Sequence, residues 1–177
     1  MIFKYYYNPI YFYFSLFLNV FLQYFFKGKK RLKYMHHLAI LDKKRKILEK
    51  IISGEKSIES RWYKLKKTPY GMIKPGDTVF FKDSGDPVTV QATVEKALFF
   101  SDLTKEKYKE IIEKYANKIC LKNRNIEDYV KQKYKYVTLI FLKEVKEIQP
   151  FTVNKKGYGL MAAWISVENI EKIKHKF

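Results

Sequence analysis

The eight residues from Lys56 to Tyr63 constrain the fold of this chain more than any other segment. Their sequence, KSIESRWY, alternates between two sets of side chains, which is typical of a β-strand because successive side chains point to opposite faces. The two faces carry Ile58, Ser60 and Trp62 on one side and Ser57, Glu59, Arg61 and Tyr63 on the other. Gly54, just before, can adopt the positive φ with which helices often end. The segment therefore predicts a helix that ends at Gly54, followed by a strand with one packed and one polar face.

The rest of the pattern after residue 34 predicts more strands than helices, separated by turns. Asp42 stands at a helix N-cap position, and Pro75-Gly76-Asp77 forms a turn that leads into a β-hairpin. The predicted strands are 37–41, 56–63, 78–82, 88–94, 136–142, an edge strand over 145–151, and 162–166. Helices are predicted up to residue 52, after Ser101 as far as residue 119, over 126–130, and at the lysine-rich end. No βαβ rhythm repeats, so the sequence predicts a compact, barrel-like α+β domain.

Composition excludes several classes of protein. The single cysteine, Cys120, permits no intramolecular disulfide and no cysteine cluster for zinc, so we expect a reducing compartment, the cytoplasm, and no metal or cofactor. No collagen repeat, sustained heptad pattern or solenoid period is present. The formal net charge is +18, of which +12 falls in residues 35–177. A basic domain of this kind attracts polyanions.

The first 34 residues differ from the remainder, because they hold 14 of the 31 aromatic residues and no acidic residue. Residues 9–26 carry no charge and are near the lower length limit for a helix that crosses a bilayer. If they form such an anchor, the lysines and arginine that follow keep the domain on the cytoplasmic side. Two alternatives remain open: a start site at Met35, which makes residues 1–34 artefactual, and an amphipathic segment that binds a partner. We expect two units, 1–34 and 35–177.

Four residues, Gly54, Lys56, Glu59 and Arg61, form the pattern G-x-K-x-x-E-x-R. Glu59 and Arg61 project from the same face of the predicted strand, and the long Lys56 side chain can reach over that face. An ammonium, a guanidinium and a carboxylate beside a glycine turn can recognise a phosphate or a base edge, or can position a proton acceptor. The plainer alternative is a solvated Glu59–Arg61 pair with a surface lysine.

This pattern, followed by Lys74-Pro75-Gly76-Asp77 and the strand from Thr78, resembles the ASCH family over about residues 36–174. The resemblance extends to Gly157-Tyr158-Gly159 and Ala163-Trp164-Ile165. It implies a PUA-like pseudo-β-barrel with flanking helices and a cleft at Lys56, Glu59 and Arg61. The family is associated with binding of RNA or other nucleic acids, and some members are nucleases or amidohydrolases that act on acylated cytidine. Those amidohydrolases carry threonine at the position of Glu59 and use a later glutamate, for which Glu106 and Glu110 are candidates here.

We therefore expect a monomeric ASCH domain that binds RNA or a nucleotide-like ligand, with Gly54 and Gly76 as structural turns. The expected ligand-binding residues are Lys56, Glu59, Arg61, Trp62, Tyr63 and Lys64, because aromatic side chains alternate with cations in this stretch. The alternatives are a small hydrolase or ribonuclease, with Lys56, Glu59 and Glu110 as catalytic candidates, and an adaptor tethered to a membrane.

Overall fold

The computed structural model describes residues 34–121, 126–159 and 161–175, and the predictions for residues 1–33 lie outside this part of the chain. From Tyr34 onward the chain forms one compact unit. The strands are β1 (His36–Leu41), β2 (Ile58–Tyr63), β3 (Thr78–Asp83), β4 (Val88–Ser101), β5 (Tyr136–Phe151) and β6 (Trp164–Val167). The α-helices are α1 (Ile47–Ile52), α2 (Lys105–Ile119) and α3 (Ile126–Lys131), and short 3-10 turns cover Lys43–Arg45 and Ile170–Lys172. Within the described ranges, none of these helices has the length and apolar character that a bilayer crossing requires.

The six strands form one mixed sheet in the order β2-β5-β4-β3-β1-β6. The pair β1 and β3 is parallel, and the other neighbouring pairs are antiparallel. The sheet makes a half-barrel with helices against it, so the predicted α+β, PUA-like pseudo-barrel is confirmed. The β3–β4 hairpin and helix α2, whose first turn is capped by the Thr104 hydroxyl, also follow the prediction.

The prediction of two separate strands over residues 136–151 is wrong, because these residues form one strand, β5. Its first part, residues 136–141, lies between β2 and β4, whereas the part beyond residue 142 pairs with β4 alone, as the prediction of an edge position requires. Its polar interruption at Lys143-Glu144 coincides with a φ of 53° at Glu144 and with shifts in the β4–β5 register. The interruption is therefore a β-bulge, which bends a strand without ending it.

The connection from β1 to β2 also differs in detail from the prediction. Asp42 does cap a helical turn, since its side chain accepts a hydrogen bond from Lys44 N, but that turn is the 3-10 segment 43–45. Lys46, with a φ of 51°, then redirects the chain into α1. Gly54 has a φ of +76° and lies just beyond the end of α1, as its sequence position predicts. This turn delivers Lys56 and the whole of β2 to the edge of the sheet.

A buried polar group fixes the start of the described chain. The carboxylate of Asp77 accepts hydrogen bonds from the backbone N–H groups of Met35 and Lys74, at 2.8 and 2.9 Å, and lies 3.1 Å from His37 Nε2. The other ring nitrogen of His37 lies 2.9 Å from the Ser166 hydroxyl. This network joins β1, the turn before β3, and β6. Gly76 has a φ of +88°, and an added Cβ there would collide with the Tyr34 ring.

Candidate functional site

Lys56 lies at the centre of a buried ionic cluster. Its side chain is 4% exposed. The ammonium donates hydrogen bonds to the backbone carbonyls of Ile58 at 2.9 Å and Ile119 at 3.2 Å, and its nitrogen lies 3.4 Å from Glu59 Oε2. An ammonium has three N–H donors, so these three contacts engage all of them. Because Ile119 is the last residue of α2, Lys56 also caps the C-terminal end of that helix, where positive charge is favourable.

Glu59 and Arg61 project from the same face of β2, as predicted, but that face is buried rather than solvated. Arg61 Nε lies 2.8 Å from Glu59 Oε1, and Arg61 Nη1 donates to the carbonyl of Ala163 at 3.2 Å. The guanidinium also lies 5.0 Å from the centre of the Trp164 ring. Neither Nε, whose contact with Glu59 is an ion pair, nor Nη2 makes a hydrogen bond of good geometry among the described residues. Two cations and one carboxylate leave the cluster with a net charge of +1.

A hollow adjoins this cluster. We call it the central cavity: its volume is about 300 Å³, and Lys56, Glu59 and Arg61 all line it. Its walls also include Asp42, Arg45, Ser60, Trp62, Ile119, Leu121 and Ala163. The ionic cluster therefore forms part of a concave surface. The alternative of a solvated Glu59–Arg61 pair with a surface lysine does not fit, because all three side chains are buried.

The three predicted ligand-binding residues that follow Arg61 have different surroundings, because successive side chains of a strand point to opposite faces. They are Trp62, Tyr63 and Lys64. Trp62 lines the central cavity and stacks on Tyr108, with ring centres 5.7 Å apart. Tyr63 faces a neighbouring hollow, and the Lys67 ammonium lies 4.3 Å from its ring centre. Burial raises the pKa of Tyr63, and the adjacent Arg61 partly opposes that rise. Lys64 is exposed and does not line either hollow.

The glutamates suggested as later catalytic residues do not reach the central cavity. Glu110 is exposed and pairs with Lys107 at 2.7 Å, while Glu106 is exposed in the first turn of α2. Hydrogen bonds from its own backbone N–H and from Thr104 lower the pKa of Glu106. Lys56 contacts the opposite end of this helix, about 13 Å along the axis from Glu110 at 1.5 Å per residue. The structure thus brings Lys56 and Glu59 together but leaves Glu110 apart from them.

Cys120 lies in a larger hollow of about 610 Å³ that shares Arg45, Ile47 and Leu121 with the central cavity. The residue is half-buried rather than fully buried, and it ends α2 with a φ of 58°. Burial raises the pKa of its thiol, so the thiol rather than the thiolate is favoured at neutral pH. Among the described residues, no group of three or more histidine, cysteine or carboxylate side chains is arranged to hold a metal ion.

Sequence analysis missed several residues of the central cavity. Arg45 and Leu121 belong to segments that carried no functional signal, and Ala163 contributes a backbone carbonyl that its side chain cannot reveal. Asp42 was identified only as a cap. These residues come from three parts of the chain, namely the segment 42–45, the end of α2 and the residue before β6, so their meeting depends on tertiary structure. The resemblance of residues 157–165 to the closing strand region of a known family was the one available hint toward Ala163.

Comparison with known proteins gives a likeness of fold. No protein-family model and no curated protein matches the chain. Two solved variants of the ASCH protein of Zymomonas mobilis, one Tyr-to-Phe and one Ser-to-Ala, each align at 15% identity with a TM-score of 0.50. Each alignment covers 66% of this chain, and 75% and 73% of those chains. Another structure of ASCH from that organism aligns at 15% identity over 65% of this chain and 71% of that chain, with a TM-score of 0.49. The chain has an ASCH-like fold, as the sequence resemblance predicts.

Proposed function

We propose that this chain binds RNA or a nucleotide-like ligand in the central cavity, with Arg61 as the recognition residue. One observation carries the proposal: the Arg61 guanidinium is 9% exposed and lines the cavity, an ion pair to Glu59 and a hydrogen bond to the Ala163 carbonyl hold it, and its buried Nη2 atom has no hydrogen-bond partner among the described residues. A buried donor of this kind costs free energy unless an acceptor reaches it. Phosphate oxygens and the carbonyl edges of bases are such acceptors.

Lys56 and Glu59 have a positioning role in this proposal. Glu59 fixes Arg61 through Nε, and Lys56 neutralises Glu59 while its remaining donors hold backbone carbonyls. The guanidinium is therefore pre-organised, and less conformational entropy is lost when a ligand binds. The net charge of +1 in the cluster favours an acceptor-rich or anionic ligand. The basic domain adds long-range attraction for such ligands.

The test compares Arg61→Lys with Lys146→Ala by fluorescence anisotropy with a labelled single-stranded RNA. Arg61→Lys keeps the charge but loses the planar fork of donors, and we expect affinity to fall about tenfold, or about 1.4 kcal/mol. Lys146 is exposed on β5 opposite Gln91, away from Thr138, which pairs with Arg61. Its replacement removes a charge without touching the cavity.

Melting temperatures of both variants establish that each is folded at the temperature of the assay. If Arg61→Lys binds as the unaltered protein does, while loss of the charge at Lys146 weakens binding, then attraction is a general effect of positive charge and the proposal is wrong. Simple replacement of Lys56 or Arg61 by alanine is a poorer test, because it removes a buried side chain together with its hydrogen bonds to backbone carbonyls and so destabilises the fold.

A further inference from the structure

We infer that a second hollow, beside the central cavity, holds an unpaired base, so that the ligand is a single-stranded oligonucleotide longer than one nucleotide. This inference rests on the proposed function. The second hollow, which we call the loop cavity, has a volume of about 550 Å³. The residues that line it include three aromatic residues, Tyr63, Tyr158 and Trp164, together with Lys67 and Met161.

The two cavities are neighbours through shared residues. Ala163 lines both of them, and its carbonyl accepts the hydrogen bond from Arg61 Nη1. Trp164, in the wall of the loop cavity, lies against the Arg61 guanidinium. Arg61 and Tyr63 are two residues apart on β2, so they share a face at a spacing of about 6.6 Å. A ligand group at Arg61 therefore has the loop cavity as its next contact along the strand.

The aromatic surface of the loop cavity is available to a ligand. Tyr158 is 42% exposed and Met161 is 94% exposed, although both are large side chains with apolar surface. Exposed apolar groups that line a hollow are typical of a binding surface. The aromatic ring of a base can stack on tyrosine whatever the base identity, and only an unpaired base offers a free face in this way.

Charge favours a nucleic acid over an apolar peptide as the occupant. The described lining of the loop cavity contains Lys67 and no carboxylate, and the adjoining loop contributes Lys155 and Lys156. Aromatic rings bordered by cations can stack bases and hold phosphates together.

The experiment measures the affinity of an octamer of uridylate, labelled at one end, for four variants of the full chain, one of which is Arg61→Lys. We expect Tyr158→Ala to weaken binding about tenfold and Tyr158→Phe, which keeps the ring, to bind as the unaltered protein does. The matched control is Phe99→Ala, which removes a ring that is 38% exposed on β4 and outside the loop cavity. We expect that control to leave affinity unchanged. Uridine monophosphate, added as competitor, should displace the octamer only at far higher concentration than an unlabelled octamer does.

The outcomes separate the two proposals. If Tyr158→Ala binds the octamer normally while Arg61→Lys weakens it, the second subsite is wrong and the proposed function stands. If Arg61→Lys has no effect, the proposed function itself fails. An RNA duplex that binds as tightly as the octamer, or uridine monophosphate that competes as well as the octamer, overturns the inference of a single-stranded ligand. A melting curve for each variant excludes loss of fold as the cause.

Discussion

At the scale of single residues, Glu59 is the shared counter-ion of two buried cations. It is 4% exposed and is the partner of both Lys56 and Arg61. Removal of its charge leaves two cations buried without a counter-ion, which is more costly than loss of an exposed pair.

We therefore expect Glu59→Gln to lower the free energy of unfolding by about 3–5 kcal/mol, measured by urea denaturation. The matched control is Glu55→Gln, because Glu55 is exposed and its oxygen lies 3.6 Å from Lys50 Nζ. That surface pair should contribute less than about 1 kcal/mol. Equal effects of the two substitutions would show that the buried cluster does not depend on its carboxylate.

Gly76 is a second residue whose identity the structure requires, for two separable reasons. Gly76→Ala meets both the strain of a φ of +88° and a collision with the Tyr34 ring, whereas Gly85→Ala meets only the strain of a φ of +91°. We expect Gly85→Ala to cost about 1–2 kcal/mol and Gly76→Ala to cost more, in the same denaturation experiment. Adding Tyr34→Ala should remove the excess at Gly76, which a double-mutant cycle measures. A coupling energy of zero between positions 34 and 76 would contradict this account.

At the scale of elements, the His37 network ties β1 to β6 and to the turn before β3. Burial lowers the pKa of His37 below the ordinary value of 6.5, and the hydrogen bond to Asp77 partly opposes this shift. Burial also lowers the pKa of His36. Below pH 6.5 the unfolded chain therefore binds protons that the folded chain does not, and stability falls as the pH falls.

We expect the free energy of unfolding to decrease between pH 7.5 and 5.5, by at most about 1.4 kcal/mol per pH unit for each histidine. His37→Gln should lower stability at pH 7.5 but reduce this dependence on pH. Exposed His175 is the matched control, and His175→Gln should retain the full dependence. Urea denaturation at several pH values provides the measurement. An unchanged dependence in His37→Gln would assign it to other groups.

The helices and strands also show which parts of the fold local sequence patterns can predict. Alternation predicts β2, turn residues predict the β3–β4 hairpin, and apolar residues at helical spacing predict α2, because these signals are local. The polar residues at the Glu144 bulge predict the end of a strand, since a bulge and a strand end have the same polar interruption in the sequence. The shared face of Glu59 and Arg61 followed from strand periodicity, but its burial did not, because the covering groups come from α2 and from Ala163. Contacts at such sequence separation leave no local signal.

At the scale of the whole molecule, the excess of positive charge should govern how binding depends on salt. With a net charge of +18, the protein attracts phosphates from many directions. Each neutralised phosphate contributes about −0.7 to the slope of log K against log salt for a single strand.

We expect RNA affinity to fall steeply between 50 and 200 mM salt, as for other basic proteins that bind phosphates. Because Arg61→Lys keeps the charge, its line should be parallel to that of the unaltered protein and displaced to weaker binding. Anisotropy titrations at four salt concentrations measure both quantities. An Arg61→Lys line that coincides with that of the unaltered protein would mean that this residue acts through charge alone rather than through the geometry of its donors.

The ammonium of Lys56 touches both the carboxylate that holds Arg61 and the final carbonyl of α2. One side chain thus helps to position both the recognition group and the end of the helix. The end of α2 and the pre-organised guanidinium of Arg61 are consequently stabilised by the same ammonium. A substitution at Lys56 that frees the end of α2 also removes a contact that holds Glu59, and with it the position of Arg61.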